Sequence, residues 1–447
     1  MECRKRLMKN YINRFVKFTG ICTVKIFICA LIGTMLLTLV YMIPVEKIDG
    51  NVKNSVVDFQ IALYNDRVFT WCHSDLDSFT DSWILMEASY HNEHNSLISA
   101  MEVNNGLTDN YNIFRMNVFL EHYLYGKELV KTISYERYWH GNLVLVKLFF
   151  YFWNYMDFRI INTVIQMGMM LLICILLFKK KLYNYIIPYL LFVLCLGPAT
   201  LILSIQYSSC YYILTVGLIA VLLSCEKNVL FVFLYIGISL AYFDFLTYPI
   251  TTLGIPLTIF LIMNQEHSFQ KKVMDSIKMS YCWGIGYGGM WVSKWIIASI
   301  ILQKNIFVQA WDAVKMRTSL QDEESTITWK GTFLRNFNNF KDTPFCYLVA
   351  IFVVVMVVTI IVRFLKNRDK VSIYQMVITA IPFVVVSLLP FLWYAITINH
   401  SFIHAFFTYK ALAVTVFSLT CMLVKMNERI SLLSSSKFSD FGKTVVL

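Results

Sequence analysis

The residues best suited to chemistry are three carboxylates within one short stretch, Trp71-Cys-His-Ser-Asp75-Leu-Asp77-Ser-Phe-Thr-Asp81. A run of helical character, Ser82 to Tyr90, follows it, so Asp81 caps or opens a helix whose positive end holds a carboxylate ionised. Converging carboxylates supply a general base or hold a cation, and their mutual repulsion raises at least one pKa. The competing reading is an ordinary solvated loop with an Asp cap. Asp81 is the preferred base or base-orienting residue, with Asp77 and then Asp75 behind it. Asp58 and Asp244 are the next carboxylates in line.

Cations and aromatics gather elsewhere along the chain. Tyr135-Glu-Arg137-Tyr-Trp139-His140-Gly141 sets Arg and His beside a stacking platform, which suits a lipid phosphate at a membrane surface and equally an interfacial aromatic belt. Lys294, in Trp291-Val-Ser-Lys294-Trp295, lies inside an apolar run, where a cation either snorkels outward or serves a site. His400 and His404 are spaced i,i+4 and share a helix face, as do Phe406 and Lys410. No carboxylate or third His adjoins that pair, so an anionic headgroup or plain packing fits it better than a metal. Tyr409 and Lys410 extend the same segment, and Asp244 marks the end of an apolar run.

The elements that position these groups follow from composition. Of 447 residues, 57% are hydrophobic and 15% charged, and mean hydropathy is +0.59, which excludes an ordinary soluble protein. Apolar runs of membrane-crossing length, about 20 residues, bounded by Lys and Arg predict an all-α polytopic membrane protein. About ten spans are expected, at 21–45, 157–178, 183–203, 209–224, 229–246, 250–263, 277–302, 346–362, 373–396 and 402–424. Segment 143–153 is apolar but too short to span and is expected as an interfacial helix. The 11 Cys residues include no CxxC pair, so neither a zinc site nor a disulfide framework is supported. Gly284 to Gly289 lies in a span with no strand before it, which fits helix packing rather than nucleotide binding.

The net charge of +11 reflects membrane orientation rather than nucleic-acid binding. Segments that alternation places inside carry 21 basic against 7 acidic residues, whereas 46–150 carries 8 against 14. Positive charge belongs on the cytoplasmic side. The expected organisation is therefore a cytoplasmic N-terminus (1–20), a first span (21–45), an acidic extracytoplasmic loop with interfacial helices (46–156), spans two to seven (157–302), a second outer loop (303–345), spans eight to ten (346–424) and a cytoplasmic tail (425–447). Cys72 is expected outside and Cys225 inside.

With its chemistry gathered on one face, this plan resembles the GT-C superfamily of integral-membrane glycosyltransferases, of an uncharacterised bacterial type. The resemblance rests on the acidic stretch Asp75–Asp81 in the first outer loop, on Tyr138-Trp139-His140-Gly141 and on Asn399-His400-Ser-Phe-Ile-His404. The acidic stretch begins about 30 residues after the first span, farther than in many members. The resemblance implies a multi-pass cell-membrane enzyme that takes a sugar from a polyprenyl phosphate to a cell-envelope glycan, lipid or protein acceptor, with inversion and an Asp base. Arg137, His140, Lys294, His400 and His404 would bind the donor phosphate. A lipid monophosphate leaves as a modest anion that cationic side chains satisfy, so no metal or other cofactor is implied. The alternatives are a polysaccharide polymerase or ligase using lipid-diphosphate-linked glycan, and a lipid or polysaccharide flippase.

Overall fold

The computed structural model describes residues 2–64, 67–109, 116–264, 266–321 and 326–434. The final residues of the expected tail, 435–447, lie outside that set. Helices dominate, and seven among the described residues are long and apolar enough to cross a membrane. The chain is a polytopic membrane protein of the all-α class.

α1 (Glu2–Val40) contains the first span. It ends earlier than the apolar run suggested, because a turn at Tyr41 leads to Pro44, which starts α2 (Val45–Asn54). Proline lacks the N–H an interior helical position would donate, and it is tolerated where a new helix opens. After α2 come α3 (Val56–Tyr64), α4 (Ser78–Ser89), α5 (Ser96–Glu102), β1 (Asn104–Leu107), α6 (Met116–Tyr123), β2 (Lys131–Ser134) and α7 (Asn142–Phe150). β1 and β2 pair antiparallel, Asn104 opposite Ser134. The long first loop is thus folded throughout its described length, and α7 occupies the segment expected to be interfacial. α4 is buried on nearly every face, from Ser78 to Ser89.

The bundle continues through α8 (Tyr155–Lys179), α9 (Ile186–Cys195), α10 (Pro198–Leu203), α11 (Ile205–Leu223), α12 (Val229–Phe243), α13 (Thr251–Met263) and α14 (Phe269–Leu302). α9, α12 and α13 are shorter than a full span. α13 can be short because it is wrapped by protein: every residue from Thr251 to Ile262 is buried. By contrast α17 (Phe345–Lys366) buries only Ile360 and offers the rest of its apolar surface outward. Before it, α15 (Ile306–Thr318) and α16 (Trp329–Lys341) fold the second long loop.

The last third keeps both expected spans, at Ile373–Ile396 and Ala405–Ser434, with a local break in each. α18 (Ile373–Ser387) and α19 (Leu389–Ile396) are separated at Leu388, beside Pro390. The turn before the tenth span forms α20 (Ile398–Ile403), and the span itself opens with α21 (Ala405–Thr408) and a 3-10 turn, Tyr409–Leu412, before α22 (Ala413–Ser434). Its polar groups are tied to neighbours rather than continuing a helix. Asn336 Nδ2 of α16 donates to Ser401 O at 2.8 Å, and Thr408 Oγ1 donates to Asn336 Oδ1 at 2.7 Å.

Successive helices bring the first long loop, the turns after α10, α12 and α19, and the second long loop to one end of the bundle. Hydrogen bonds knit those connections together. Gly141 N donates to Tyr242 O at 2.8 Å, Trp139 Nε1 to Met290 O at 2.8 Å, and Ile205 N to Asp81 Oδ2 at 2.8 Å.

Candidate functional site

At that end lies a cavity of about 150 Å³, lined by Asp77, Tyr138, His140, Gln206, Arg317, His400 and His404 with a surround of aromatic side chains. Each polar group arrives by a definable local rule. Asp77 caps α4, accepting from Thr80 N at 3.0 Å and Thr80 Oγ1 at 2.8 Å. His140 sits in the left-handed region at φ 51°, which non-glycine residues seldom adopt and which is held only where the surroundings enforce it. Here they do: the next residue must be Gly141, since a Cβ there would stand 2.3 Å from the Tyr242 ring.

The twisted backbone aims the imidazole at Glu87 of α4. His140 Nδ1–H donates to Glu87 Oε2 at 3.0 Å, and Trp83 Nε1 donates to Glu87 Oε1 at 2.9 Å. Glu87 is fully buried and His140 nearly so. His140 Nε2 is buried without a hydrogen-bond partner. A carboxyl group that holds Nδ1–H fixes the tautomer and leaves the Nε2 lone pair available, the arrangement of an oriented general base.

Facing this pair is a guanidinium. Arg317 Nη2 donates to the Tyr138 hydroxyl at 2.9 Å, and Arg317 Nη1 donates to His400 Nδ1 at 2.6 Å, while His400 Nε2–H donates to Leu246 O at 2.8 Å. Burial, with Arg317 and His404 beside it, holds His400 well below its ordinary value, so this imidazole is neutral. Burial alone would push the Tyr138 phenol up, but Arg317 and Arg137 bring it below its ordinary value. A planar cation fixed by a phenol and a neutral imidazole is a preorganised anion receptor.

The structure separates the carboxylates singled out from sequence. Asp81 accepts from Ser204 Oγ at 3.1 Å, Ile205 N at 2.8 Å, Gln206 N at 2.9 Å and Tyr155 OH at 2.5 Å. A carboxylate offers about four acceptor positions, and all are filled. Burial raises its carboxyl above the usual range, opposed by these four bonds. Asp81 therefore caps the N-terminus of α11 and locks α4 to it; Asp77, one turn earlier, is the carboxylate on the cavity. Asp75 pairs with Arg67 at 2.7 Å, and Asp58 lies away from the cavity with Arg159 nearby. Asp244 ends α12 and accepts from Thr247 N at 3.0 Å, shaping the turn whose Leu246 carbonyl holds His400.

The expected cations divide in the same way. His140, His400 and His404 line the cavity. Arg137 lies over the Tyr135 and Tyr138 rings at 5.0 and 4.8 Å, behind the lining. Lys294 is fully buried elsewhere, its Nζ donating to Met101 O at 3.1 Å and lying 5.6 Å from the Trp139 ring. Lys410 donates to Leu196 O at 2.6 Å and Thr200 Oγ1 at 2.8 Å, next to Tyr409. Glu87 and Arg317 were missed from sequence. Glu87 carried a signal, as the lone acid in the apolar run Trp83 to Ala88; Arg317 carried none that set it apart from other loop cations.

Beside the cavity an apolar groove of about 880 Å³ runs between α7, α8, α11 and α12. No residue lines both spaces, but near neighbours along the chain do: Asn142, Ile205 and Phe243 line the groove, and His140, Gln206 and Phe245 line the cavity. Both amide atoms of Asn142 are buried without partners. Far from both, Glu226, His267 and Asp275 bring ligand atoms within 4.8 Å of one another. Lys271 Nζ stands 2.6 Å from Glu226 Oε1 and 2.9 Å from His267 Nε2, and Lys278 Nζ stands 3.8 Å from Asp275 Oδ1, so two cations offset the two carboxylates.

No family model matches the chain, no characterised protein is similar to it in sequence, and no solved structure is similar to it in fold.

Proposed function

We propose that the chain is a membrane glycosyltransferase of GT-C type, moving a sugar from a polyprenyl-phosphate donor to a cell-envelope glycan, lipid or protein acceptor at the outer face. The observation that carries this reading is the closeness of a polar cavity, furnished with an anion receptor and an oriented base, to a large apolar groove lined by neighbouring residues of the same elements. A long isoprenoid chain fits the groove while its phosphate and sugar reach the cavity. A soluble substrate would have no use for the groove.

In this reading the donor phosphate lies against Arg317, Tyr138 and His400. His140 Nε2 takes the proton of the acceptor hydroxyl as its oxygen attacks the anomeric carbon from the face opposite the phosphate. The bond from anomeric carbon to phosphate oxygen breaks, and the lipid phosphate leaves with the electron pair toward Arg317. Asp77 faces the positive charge that develops on the sugar ring. Proton removal of this kind contributes about 10²–10⁴-fold, and a buried cation stabilises the leaving anion more than it would in water.

The test uses purified chain in mixed micelles with polyprenyl-phosphate-linked sugars and a cell-envelope glycolipid fraction as acceptor. Arg317→Gln should weaken donor binding by the equivalent of a charged hydrogen bond, about 1.5–3 kcal/mol, and His140→Ala should abolish transfer with donor binding intact. Unchanged transfer in both variants refutes the assignment.

A further inference from the structure

The end of the bundle opposite the cavity holds a second polar space, which the proposed reaction does not use. It measures about 330 Å³ and lies between α13, α14, α18 and α22. Its charged lining is Lys272, Lys425 and Arg429 against the single carboxylate Glu266, with His267 beside them. Of its charged neighbours Lys425 feels Glu428 first and then both Lys272 and Arg429, and Glu266 acts on Lys272, so the three cations are close together and only partly offset. Glu428, held by Asn184 Nδ2 and Tyr185 OH at 2.8 Å each, reaches Lys425 at 3.6 Å from outside the lining and with Glu266 leaves an excess of one positive charge among the three cations. Like charges gathered in a partly enclosed space repel one another, and an anion between them removes that cost.

Two further observations define the anion. Gln375 Oε1, on the lining, is a buried acceptor without a donor. The rest of the wall is apolar, with Leu261, Ile378, Phe383 and Leu433, and Tyr374 and Leu432 stand exposed at its edge. A bare inorganic anion leaves that wall and that acceptor unused. We infer that this cavity binds the phosphate of an anionic glycerophospholipid, with Lys272, Lys425 and Arg429 around the phosphate, a headgroup hydroxyl donating to Gln375, and the acyl chains running along the apolar side. Basic pockets between spanning helices bind anionic headgroups by the same physics. The assignment does not depend on the glycosyltransferase reading.

The test is thermal unfolding of the purified full chain in neutral detergent with phosphatidylglycerol, phosphatidylcholine at equal mole fraction, or inorganic phosphate at matched ionic strength. Phosphatidylglycerol should raise the midpoint by roughly 2 °C or more, as ligand binding to the native state alone does. Phosphatidylcholine should not, and the rise should be lost in Lys272→Gln/Arg429→Gln. Arg429→Gln alone, at an exposed position, should reduce the rise and guards against a double variant that fails to fold. An equal rise with inorganic phosphate identifies a soluble phosphate as the ligand of the same three cations. An equal rise with phosphatidylcholine, or a rise retained in both variants, overturns the site.

Discussion

His140 and Glu87 illustrate why chemistry at the residue scale is decided by a partner. His140 was legible as a candidate because it sits in an aromatic, cationic motif. Its capacity to act as a base comes from Glu87, 53 residues earlier in sequence, which holds Nδ1. Glu87→Gln keeps size and shape but lets the amide donate to Nδ1, which moves the imidazole proton to Nε2. Transfer should fall by about 10²-fold or more while the protein stays folded and inserted, and activity assays alongside gel filtration check this. An undiminished rate would move the base to Asp77. His400 gives a stability prediction at the same scale. Burial holds its folded pKa well below the unfolded value of about 6.5. Below that pH the unfolded chain takes up a proton that the folded chain refuses, so stability is lost as pH falls, by at most about 1.4 kcal/mol per unit from this group. His400→Gln keeps an acceptor for Arg317 and a donor for Leu246 and should flatten that slope. Unfolding midpoints measured between pH 7.5 and 5 give the comparison.

At the scale of elements, most of the helices were legible and their rotations were not. Apolar run lengths marked most of the spans, whereas the helix expected to open at Asp81 begins earlier, at Ser78, with Asp77 as its cap and Asp81 inside its first turn. The choice between those two Asp residues depended on which face of α4 meets α11. Periodicity is silent there, because α4 is buried almost all round and has no apolar stripe. Likewise the span expected over 402–424 read as one helix because its residues are mostly apolar, and its interruptions at His404 and at the 3-10 turn Tyr409–Leu412 left no mark in the hydropathy. The contrast between the two carboxylates yields a paired prediction. Asp81→Ala strands the buried N–H groups of Ile205 and Gln206, each costing about 1–3 kcal/mol, and should destabilise the chain by about 3 kcal/mol or more. Asp77→Asn retains a good helix cap and should change stability by no more than about 0.5 kcal/mol. Thermal unfolding of the two variants side by side decides it, and equal losses would show that Asp81 is not the staple its bonds indicate.

Over the whole molecule, the two ends of the bundle differ in charge and in content, and orientation gives that difference its meaning. The cavity end collects the acidic first loop, and the opposite end collects the basic connections, 21 basic against 7 acidic residues by sequence. By the positive-inside rule such an asymmetry is expected when the basic end faces the cytoplasm, which would place the cavity and the mouth of the groove on the outer side, the compartment that the proposed lipid-linked donor requires. The native cysteines test this only in part. Cys225, between α11 and α12, is exposed at the basic end, but Cys72 is buried and no reagent would reach it in the folded protein. Tyr125 is a better reporter, standing 69% exposed in the first loop. In a chain carrying Tyr125→Cys, an impermeant maleimide applied to intact cells should label position 125 and spare Cys225, with Cys225 labelled only after permeabilisation. The same chain with Cys225→Ser isolates the outer signal from the inner one. Labelling of Cys225 in intact cells, with position 125 protected, would put the cavity in the cytoplasm. A cytoplasmic cavity would face nucleotide-linked sugars and soluble acceptors, and the polyprenyl-phosphate reading would lose its compartment even if every residue assignment held.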